Sequence, residues 1–364
     1  MKVLFHLGHP AHFHLFKNVI KSLQVNGHQT PILIKKKDVL EELLKESGYI
    51  YRNILPTGRK NSKAGIAIGQ LRQDFRLLQY AQKNKPDMMV GTSVAISHAG
   101  RLLGIPAINV NEDNAEVVPL YAKLAYPWAN HIIAPECCSV GKWKKKKISY
   151  NGYHELAYLH PNHFIPDKKV VLKYFPVDEN YFIIRFAQLN AHHDEGIKGI
   201  SLDAAKQMIG ILKPHGKVYI TSERKLEPQL EPYRIRINPS DMHHVMAFAQ
   251  LYIGDSQTMA AEAGVLGVPF IRFNDFAGRI GYLNELENKY ELGYGIKPEN
   301  PELMLAKINE LLHLKNRNQI FQARRRQMLN DKIDYAKFLT WFIENYPASV
   351  QTLKKNPDYQ HKFK

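Results

Sequence analysis

The sequence predicts an α/β protein made of two successive parallel-sheet domains. Three observations carry this expectation. The chain has 364 residues, more than one hydrophobic core usually serves. Short apolar runs alternate with longer stretches of helical spacing, as β-α units around a parallel sheet require. The same alternation then resumes after a polar connection at 161–167 that contains two prolines.

The first strand is read over Val3 to Leu7. Phe13, Phe16, Val19, Ile20 and Leu23 follow at three- and four-residue spacing, which predicts a helix over Phe13 to Asn26 with Gly27 as its C-cap. Strands are expected at Thr30 to Ile34, Met88 to Val90, Ala107 to Val110 and His131 to Ala134. The second half predicts strands at Tyr181 to Arg185, Lys217 to Thr221, Leu251 to Ile253 and Phe270 to Phe273, with helices near Leu202 to Leu212 and Thr258 to Leu266. After Pro301 the pattern is helical, and Tyr335, Phe338, Leu339 and Phe342 make one apolar face of a closing helix before a polar tail from Lys354. The expected division is a first domain over 1–162, a second over 163–334, and a closing helix and tail over 335–364 that packs back toward the first. Domains of this kind bind ligands beyond the carboxyl ends of their strands, here in an interdomain cleft.

Composition narrows the partners. The formal net charge is +16, from 50 Lys and Arg against 34 Asp and Glu. The densest run is Lys142-Trp143-Lys144-Lys145-Lys146-Lys147, which is read as a solvated loop or strand edge, or as a binding patch. Such an excess suits nucleic acid, an anionic membrane surface or a phosphorylated substrate. No RNP aromatic pair or zinc-finger spacing is present, so nucleic acid is not expected. No stretch approaches the roughly 18–20 continuous apolar residues of a membrane span, and the chain begins directly with a strand. A cytoplasmic protein is expected, peripheral at the inner face of the membrane if it meets lipid. Cys137 and Cys138 are adjacent, which is poor geometry for a structural disulfide and lacks metal-ligand spacing, so a reducing compartment fits.

The most informative segment is Gly254 to Pro269, G-D-S-Q-T-M-A-A-E-A-G-V-L-G-V-P, after the apolar run Leu251-Tyr252-Ile253. It reads as a strand passing through a small polar turn into a helix, whose free N–H groups and dipole suit a phosphate around Asp255, Ser256, Gln257 and Thr258. Glu262 lies one to two turns on, where a carboxylate would accept from sugar hydroxyls. The alternative is an ordinary capped connection, with Asp255 or Ser256 as the cap and Glu262 solvated.

That segment resembles the C-terminal signature of GT-B nucleotide-sugar enzymes. His6 to His28, H-L-G-H-P-A-H-F-H-L-F-K-N-V-I-K-S-L-Q-V-N-G-H, and Tyr150 to Pro161, Y-N-G-Y-H-E-L-A-Y-L-H-P, are similar to a family of unknown function usually described as predicted glycosyltransferases. The resemblance covers most of the chain, from Met1 to about Glu344. It implies a GT-B fold: two Rossmann-like, doubly wound parallel-sheet domains, an interdomain cleft and a C-terminal closing helix. Within the superfamily, the peptidoglycan N-acetylglucosaminyltransferase has a histidine in its first glycine-rich loop and an H-E-Q-N segment that Val110-Asn111-Glu112-Asp113-Asn114 partly resembles. UDP-N-acetylglucosamine 2-epimerases share the C-terminal turn and glutamate but carry G-D-T, with a catalytic aspartate, where this chain reads Gly91-Thr92-Ser93.

The resemblance implies a glycosyltransferase that moves a sugar from a nucleotide diphosphate, UDP in the superfamily, to a glycan or lipid-linked acceptor in cell-surface polysaccharide synthesis. The alternative is an epimerase-like enzyme acting on the nucleotide sugar itself. Inverting transfer needs a base for the acceptor hydroxyl, and a histidine suits the task. The first loop holds His6, His9, His12 and His14; by analogy His12 is first choice and His9 second. Packing and capping, or a metal site, are the other readings of this cluster, although a strand-loop-helix crossing scatters the side-chain directions. Glu112 either orients or deprotonates an acceptor, or caps the next helix with Asp113 and Asn114. Arg185 is expected on a phosphate, or else in an ion pair, with His192 or His193 nearby on the donor. The segment Asn238 to His243, including Met242, corresponds to the place where relatives hold the base through main-chain groups. No cofactor and no metal are implied, since the nucleotide sugar is the substrate and no D-x-D motif is evident.

Overall fold

A computed structural model describes residues 1–58, 62–176, 179–187 and 199–364. The chain divides into two compact units, one formed by residues 1–158 with 332–364 and the other by residues 159–331.

The first unit is built on a parallel sheet whose strands, among the described residues, are β1 (Val3–Leu7), β2 (Ile32–Lys35), β3 (Tyr51–Leu55), β4 (Met88–Gly91), β5 (Ala107–Val110), β6 (His131–Pro135) and β7 (Lys147–Tyr150). Their order is β3-β2-β1-β4-β5-β6-β7. Parallel strands need crossovers, which cover both faces with helices, so the central strands are apolar at nearly every position rather than alternating. Leu4, Leu33 and Met89 accordingly pack with Leu77, Ala81, Ile96 and Ala99 in one core cluster. The chain runs outward from β1 through β2 to β3, then crosses back to place β4 on the other side of β1. The β1/β4 seam is therefore the topological switch point, where the loops leaving two adjacent strands diverge and open a crevice.

Gly91 ends β4 at that seam and pairs with His6. A Cβ there would lie 2.6 Å from the His6 carbonyl oxygen, so only glycine fits this close approach. The helix after β1 spans Pro10–Val25, three residues earlier than its apolar spacing alone predicts, because Pro10 supplies a first-turn residue and His9 a cap. The closing helix, Tyr335–Glu344, packs against it and belongs to this unit. Tyr335 stacks on Tyr150 with ring centroids 4.1 Å apart. Ile333 N–H donates to the Asn151 carbonyl at 3.0 Å, and Asp334 caps the helix through the Lys337 N–H at 3.1 Å.

The second unit repeats the plan with β8 (Tyr181–Phe186), β9 (Lys217–Ser222), β10 (Leu251–Gly254), β11 (Phe270–Phe273) and β12 (Gly293–Ile296), ordered β12-β11-β10-β8-β9 and parallel throughout. Its switch point lies between β8 and β10. Arg272, fully buried on β11, pairs with Glu287 and donates to Asn274 Oδ1 at 3.1 Å. Asn274 in turn donates to the Asp255 carbonyl at 2.9 Å, so a buried polar chain fixes the turn at the end of β10.

Three strands went unread in the sequence. β3 buries only Ile54 and Leu55, β12 is the glycine-rich edge Gly-Tyr-Gly-Ile, and β7 emerges from the lysine run as an edge strand that turns Ile148 and Tyr150 inward. Short edge strands bury too little to show an apolar run, and lysine on an edge opposes pairing with another chain. The lysine run itself is a 3-10 helix, Gly141–Lys146, before that strand. Lys146 Nζ donates to the carbonyls of Tyr126, Pro127 and Ala129, so this lysine is a structural clamp.

Candidate functional site

In the first unit the polar side chains gather at the β1/β4 switch point. His6, on β1, is buried, and its Nδ1 lies 2.7 Å from the hydroxyl of Ser93 just beyond β4, so this contact crosses the seam. Ser93 also caps the Val94–Leu103 helix through the Ala95 N–H. Burial, and secondarily the charge of Lys35, push the His6 imidazole down to about 3, so it stays neutral. Lys35, at the end of β2, passes over the β1 loop, with its Cε 3.0 Å from where a Cβ on Gly8 would stand.

His12, on the first turn of the Pro10–Val25 helix, accepts from the Gly8 N–H through Nδ1 at 3.1 Å. An Nδ1 that accepts carries no hydrogen, so the neutral ring has its proton on Nε2 and presents a donor. Burial holds the ring well below the ordinary histidine range, with His9, Lys35, His154 and His6 adding in that order. His9 is exposed and caps the helix by accepting from Ala11 N–H at 3.2 Å. His14 points elsewhere, against the rings of Phe13 and Tyr158. The helical crossing thus turns His14 away, whereas the His9 and His12 rings stay together with centroids 6.0 Å apart. Among the described residues no group of three His, Cys, Asp or Glu side chains could hold a metal ion.

Glu112 follows β5, and its carboxylate is given to His154: Oε2 accepts from the His154 backbone N–H at 3.1 Å, and Oε1 lies 3.3 Å from His154 Nδ1. A carboxylate can only accept, so the neutral imidazole places its hydrogen on Nδ1 and leaves the Nε2 lone pair open. That Nε2 is buried without a hydrogen-bond partner. Burial pushes His154 down to about 3, opposed by Asp113. His12 and His154 therefore offer complementary groups, an N–H and a lone pair, and His154 lies near enough for its charge to lower His12.

In the second unit the β8/β10 seam collects the residues expected to meet a nucleotide. Arg185, near the end of β8, is ion-paired with Glu223, while its buried Nε has no partner. Asp255 follows β10 and is almost fully buried; Oδ1 accepts from the Ala187 N–H at 2.6 Å, and Oδ2 is unpartnered. Burial raises its carboxyl to about 6, opposed by backbone donors and Arg224. Ser256 caps the Gln257–Leu266 helix, accepting from Met259 N–H at 3.4 Å, and Gln257 and Thr258 occupy the first turn, half-buried. Glu262 is buried, and Oε1 accepts from His243 Nε2 at 2.9 Å. His243 sits on the short Met242–Ala247 helix beside Met242, which is half-buried. Tyr252 is buried behind the seam, and its hydroxyl would collide at 2.5 Å with a Cβ on Gly254. His192 and His193 lie outside the described residues.

Spacing along the chain did not single out His154, Ser93, Lys35, His243 or Tyr252. His154 and His243 stand in segments that drew attention for other reasons, but their partners, Glu112 and Glu262, are 42 and 19 residues away in sequence.

A family model described as a protein of unknown function (DUF354) matches residues 1–276. No curated protein matches the chain by sequence. Solved structures resemble it at low identity. The UDP-GlcNAc 2-epimerase from Neisseria meningitidis, bound to UDP-GlcNAc, is 16% identical over 90% of this chain and 99% of its own, with a TM-score of 0.58. The MnaA–UDP co-structure from S. aureus is 13% identical over 96% and 98%, with a TM-score of 0.66. MurG from Acinetobacter baumannii is 14% identical over 94% and 99%, with a TM-score of 0.59. The architecture is GT-B, with two Rossmann-like parallel-sheet domains.

Proposed function

The chain belongs to the family described as a protein of unknown function (DUF354), and from that premise we propose that it is a GT-B nucleotide-sugar enzyme, a glycosyltransferase using a nucleoside-diphosphate sugar, UDP in the first instance. The acceptor in this reading is a glycan or a lipid-linked saccharide of cell-surface polysaccharide synthesis. The observation that carries it is the β8/β10 switch point, where Arg185, the Asp255-Ser256 turn and the N-terminus of the Gln257–Leu266 helix converge. Fixed N–H groups and a guanidinium suit a leaving diphosphate, whose charge grows as the bond to the sugar breaks. The Arg185–Glu223 pair does not preclude this role: Glu223 is 43% exposed, and pairs of that kind contribute only about 0–1 kcal/mol, so a diphosphate competes for the arginine. Glu262, held by His243, takes a ribose hydroxyl, and the segment around Met242 takes the base.

The chemistry assigned to the first unit is proton transfer from the acceptor. The hydroxyl oxygen forms a bond to the anomeric carbon, the bond from that carbon to the diphosphate breaks, and the hydroxyl proton passes to an imidazole. His154 Nε2 is the accepting nitrogen in this scheme, and Glu112 is its positioning residue. His12 supplies an N–H to the same hydroxyl, and His9 keeps the helix start in place. The reading requires neither metal nor cofactor.

A thermal-shift screen with UDP, GDP, CDP and their sugars tests the proposal. A true ligand at a hundred times its Kd stabilises the fold by about 2.7 kcal/mol. Absence of any shift, with all three nucleotides and their sugars, rejects the nucleotide reading. NMR of the bound sugar without acceptor then separates transfer from epimerisation: inversion of a sugar carbon would establish the epimerase alternative, to which several structures of this fold belong. His154→Gln should leave nucleotide binding intact and lower turnover by about 10², the low end of a general base's contribution, because burial holds this imidazole at about 3. Glu262→Ala should instead weaken nucleotide binding.

A further inference from the structure

The first unit carries an exposed apolar face that neither switch point uses. On the Lys63–Asn84 helix, Ile68, Leu71 and Phe75 recur at three- and four-residue spacing, yet Leu71 is 68% and Phe75 59% exposed. A helix of a soluble domain normally turns such a stripe inward. The adjoining Val94–Leu103 helix adds Leu102, 71% exposed, and the Pro119–Ala125 helix adds Leu120 and Leu124, followed by Trp128. The first helix packs on the second and the second on the third. His98 lies between them, with Nδ1 2.9 Å from Asp74, Nε2 2.9 Å from the Leu124 carbonyl, and its ring edge-on to Trp128.

Cations border the same face. Arg72 is exposed on the first helix, Arg101 on the second beside Leu102, and Lys123 on the third beside Leu124. Arg101 lies near enough to Lys146 to lower its pKa, which brings the Gly141–Lys146 turn, with exposed Lys142, Lys144 and Lys145, to this edge. The acidic side chains here are Asp74, engaged by His98, and Glu116, which accepts from the Ser139 hydroxyl.

We infer that this three-helix face docks on an anionic lipid surface. Apolar side chains ringed by Lys and Arg match the boundary between acyl chains and anionic headgroups: the leucines, Phe75 and Trp128 enter the boundary, and the cations meet the phosphates. Nucleic acid matches the charge but gives no partner to exposed leucines, and a second copy of this chain brings the same positive charge against itself. The inference deepens the reading of a membrane-linked acceptor but does not depend on it. Among the described residues no helix is long and apolar enough to cross a membrane, so attachment here is to the surface.

The test is sedimentation of the full chain with vesicles of phosphatidylcholine alone and with phosphatidylglycerol added. Wild type should bind the anionic vesicles at least tenfold more tightly. The variant L71S/F75S/L102S should lose about tenfold or more of that affinity while keeping its melting temperature, because the residues replaced are exposed. K144Q/K145Q should lose about 30-fold on anionic vesicles and little on neutral ones. Nucleotide-induced thermal shift should persist in both variants, so failure here leaves the nucleotide reading standing, and the reverse also holds. Equal binding by L71S/F75S/L102S and wild type overturns the inference. So does a wild-type dimer that this variant converts to monomer, or duplex DNA retention lost in parallel with these side chains.

Discussion

His154, buried, and Glu112, half-buried, show how two residues 42 positions apart in sequence come to share one carboxylate contact. The same burial makes titration visible in stability. His6 and His154 have folded-state values of about 3 against an ordinary value of 6.5, so the neutral rings favour the folded state fully above pH 6.5, and that contribution is lost as pH falls toward 3. Each histidine should account for roughly 3–5 kcal/mol over this window, and His154→Gln should flatten the acid limb of urea denaturation measured from pH 7 to pH 4. Asp255 acts in the opposite direction. Its carboxyl, raised from 3.8 to about 6, favours the folded state when protonated, so its contribution is complete below pH 3.8 and disappears as pH rises through 6. Asp255→Asn should therefore be more stable than wild type by roughly 2–3 kcal/mol at pH 8, with little difference near pH 4. An Asp255→Asn chain less stable than wild type at pH 8 would show that the backbone donors and Arg224 outweigh the burial of the carboxylate. These residues were legible in sequence only as types. His12 and Asp255 were singled out, whereas the hydrogen of His12 was assigned by the Gly8 N–H, a contact that no spacing reveals.

At the scale of elements, each sheet has a glycine at the carboxyl end of a strand flanking its switch point, Gly91 on β4 and Gly254 on β10. The obstacles to a side chain differ. A Cβ on Gly91 meets the His6 carbonyl, which is backbone, and one on Gly254 meets the end of the Tyr252 side chain and, at 3.0 Å, the Arg185 Cβ. Gly91→Ala should cost roughly 1–3 kcal/mol in denaturant unfolding, and Gly254→Ala distinctly less, because a tyrosine tip yields more readily than a strand. Equal losses at the two positions would contradict that account. Central strands were legible because burial on both faces writes a continuous apolar run. β3, β7 and β12 were not, since these short edge strands bury only two residues each and their polar residues read as loop, whereas the longer edge strand β9 buries Val218, Ile220 and Thr221 and was legible.

At the scale of the molecule, residues 332–364 complete the unit begun by residues 1–158. Tyr335, Phe338, Leu339 and Phe342 are fully buried there. A fragment of residues 1–158 should therefore lack cooperative unfolding, and adding a peptide of residues 332–364 should restore it, as followed by near-UV circular dichroism. A fragment of residues 159–331 should unfold cooperatively alone, because its sheet and covering helices are contiguous in sequence. A cooperative transition in residues 1–158 without the peptide would show that the closing helix is dispensable. By itself, the sequence determined the α/β class, the succession of two sheets and the helix-capping turn at Gly254 to Pro269, because apolar periodicity, proline, glycine and cap residues act within a few positions of one another. The tertiary structure alone decided strand order, the two switch points, the pairing of Glu112 with His154 and of Glu262 with His243, and the exposure of Leu71, Phe75 and Leu102. Each of those depends on which distant segments pack together, and an amphipathic stripe looks the same in sequence whether a core or water lies against it.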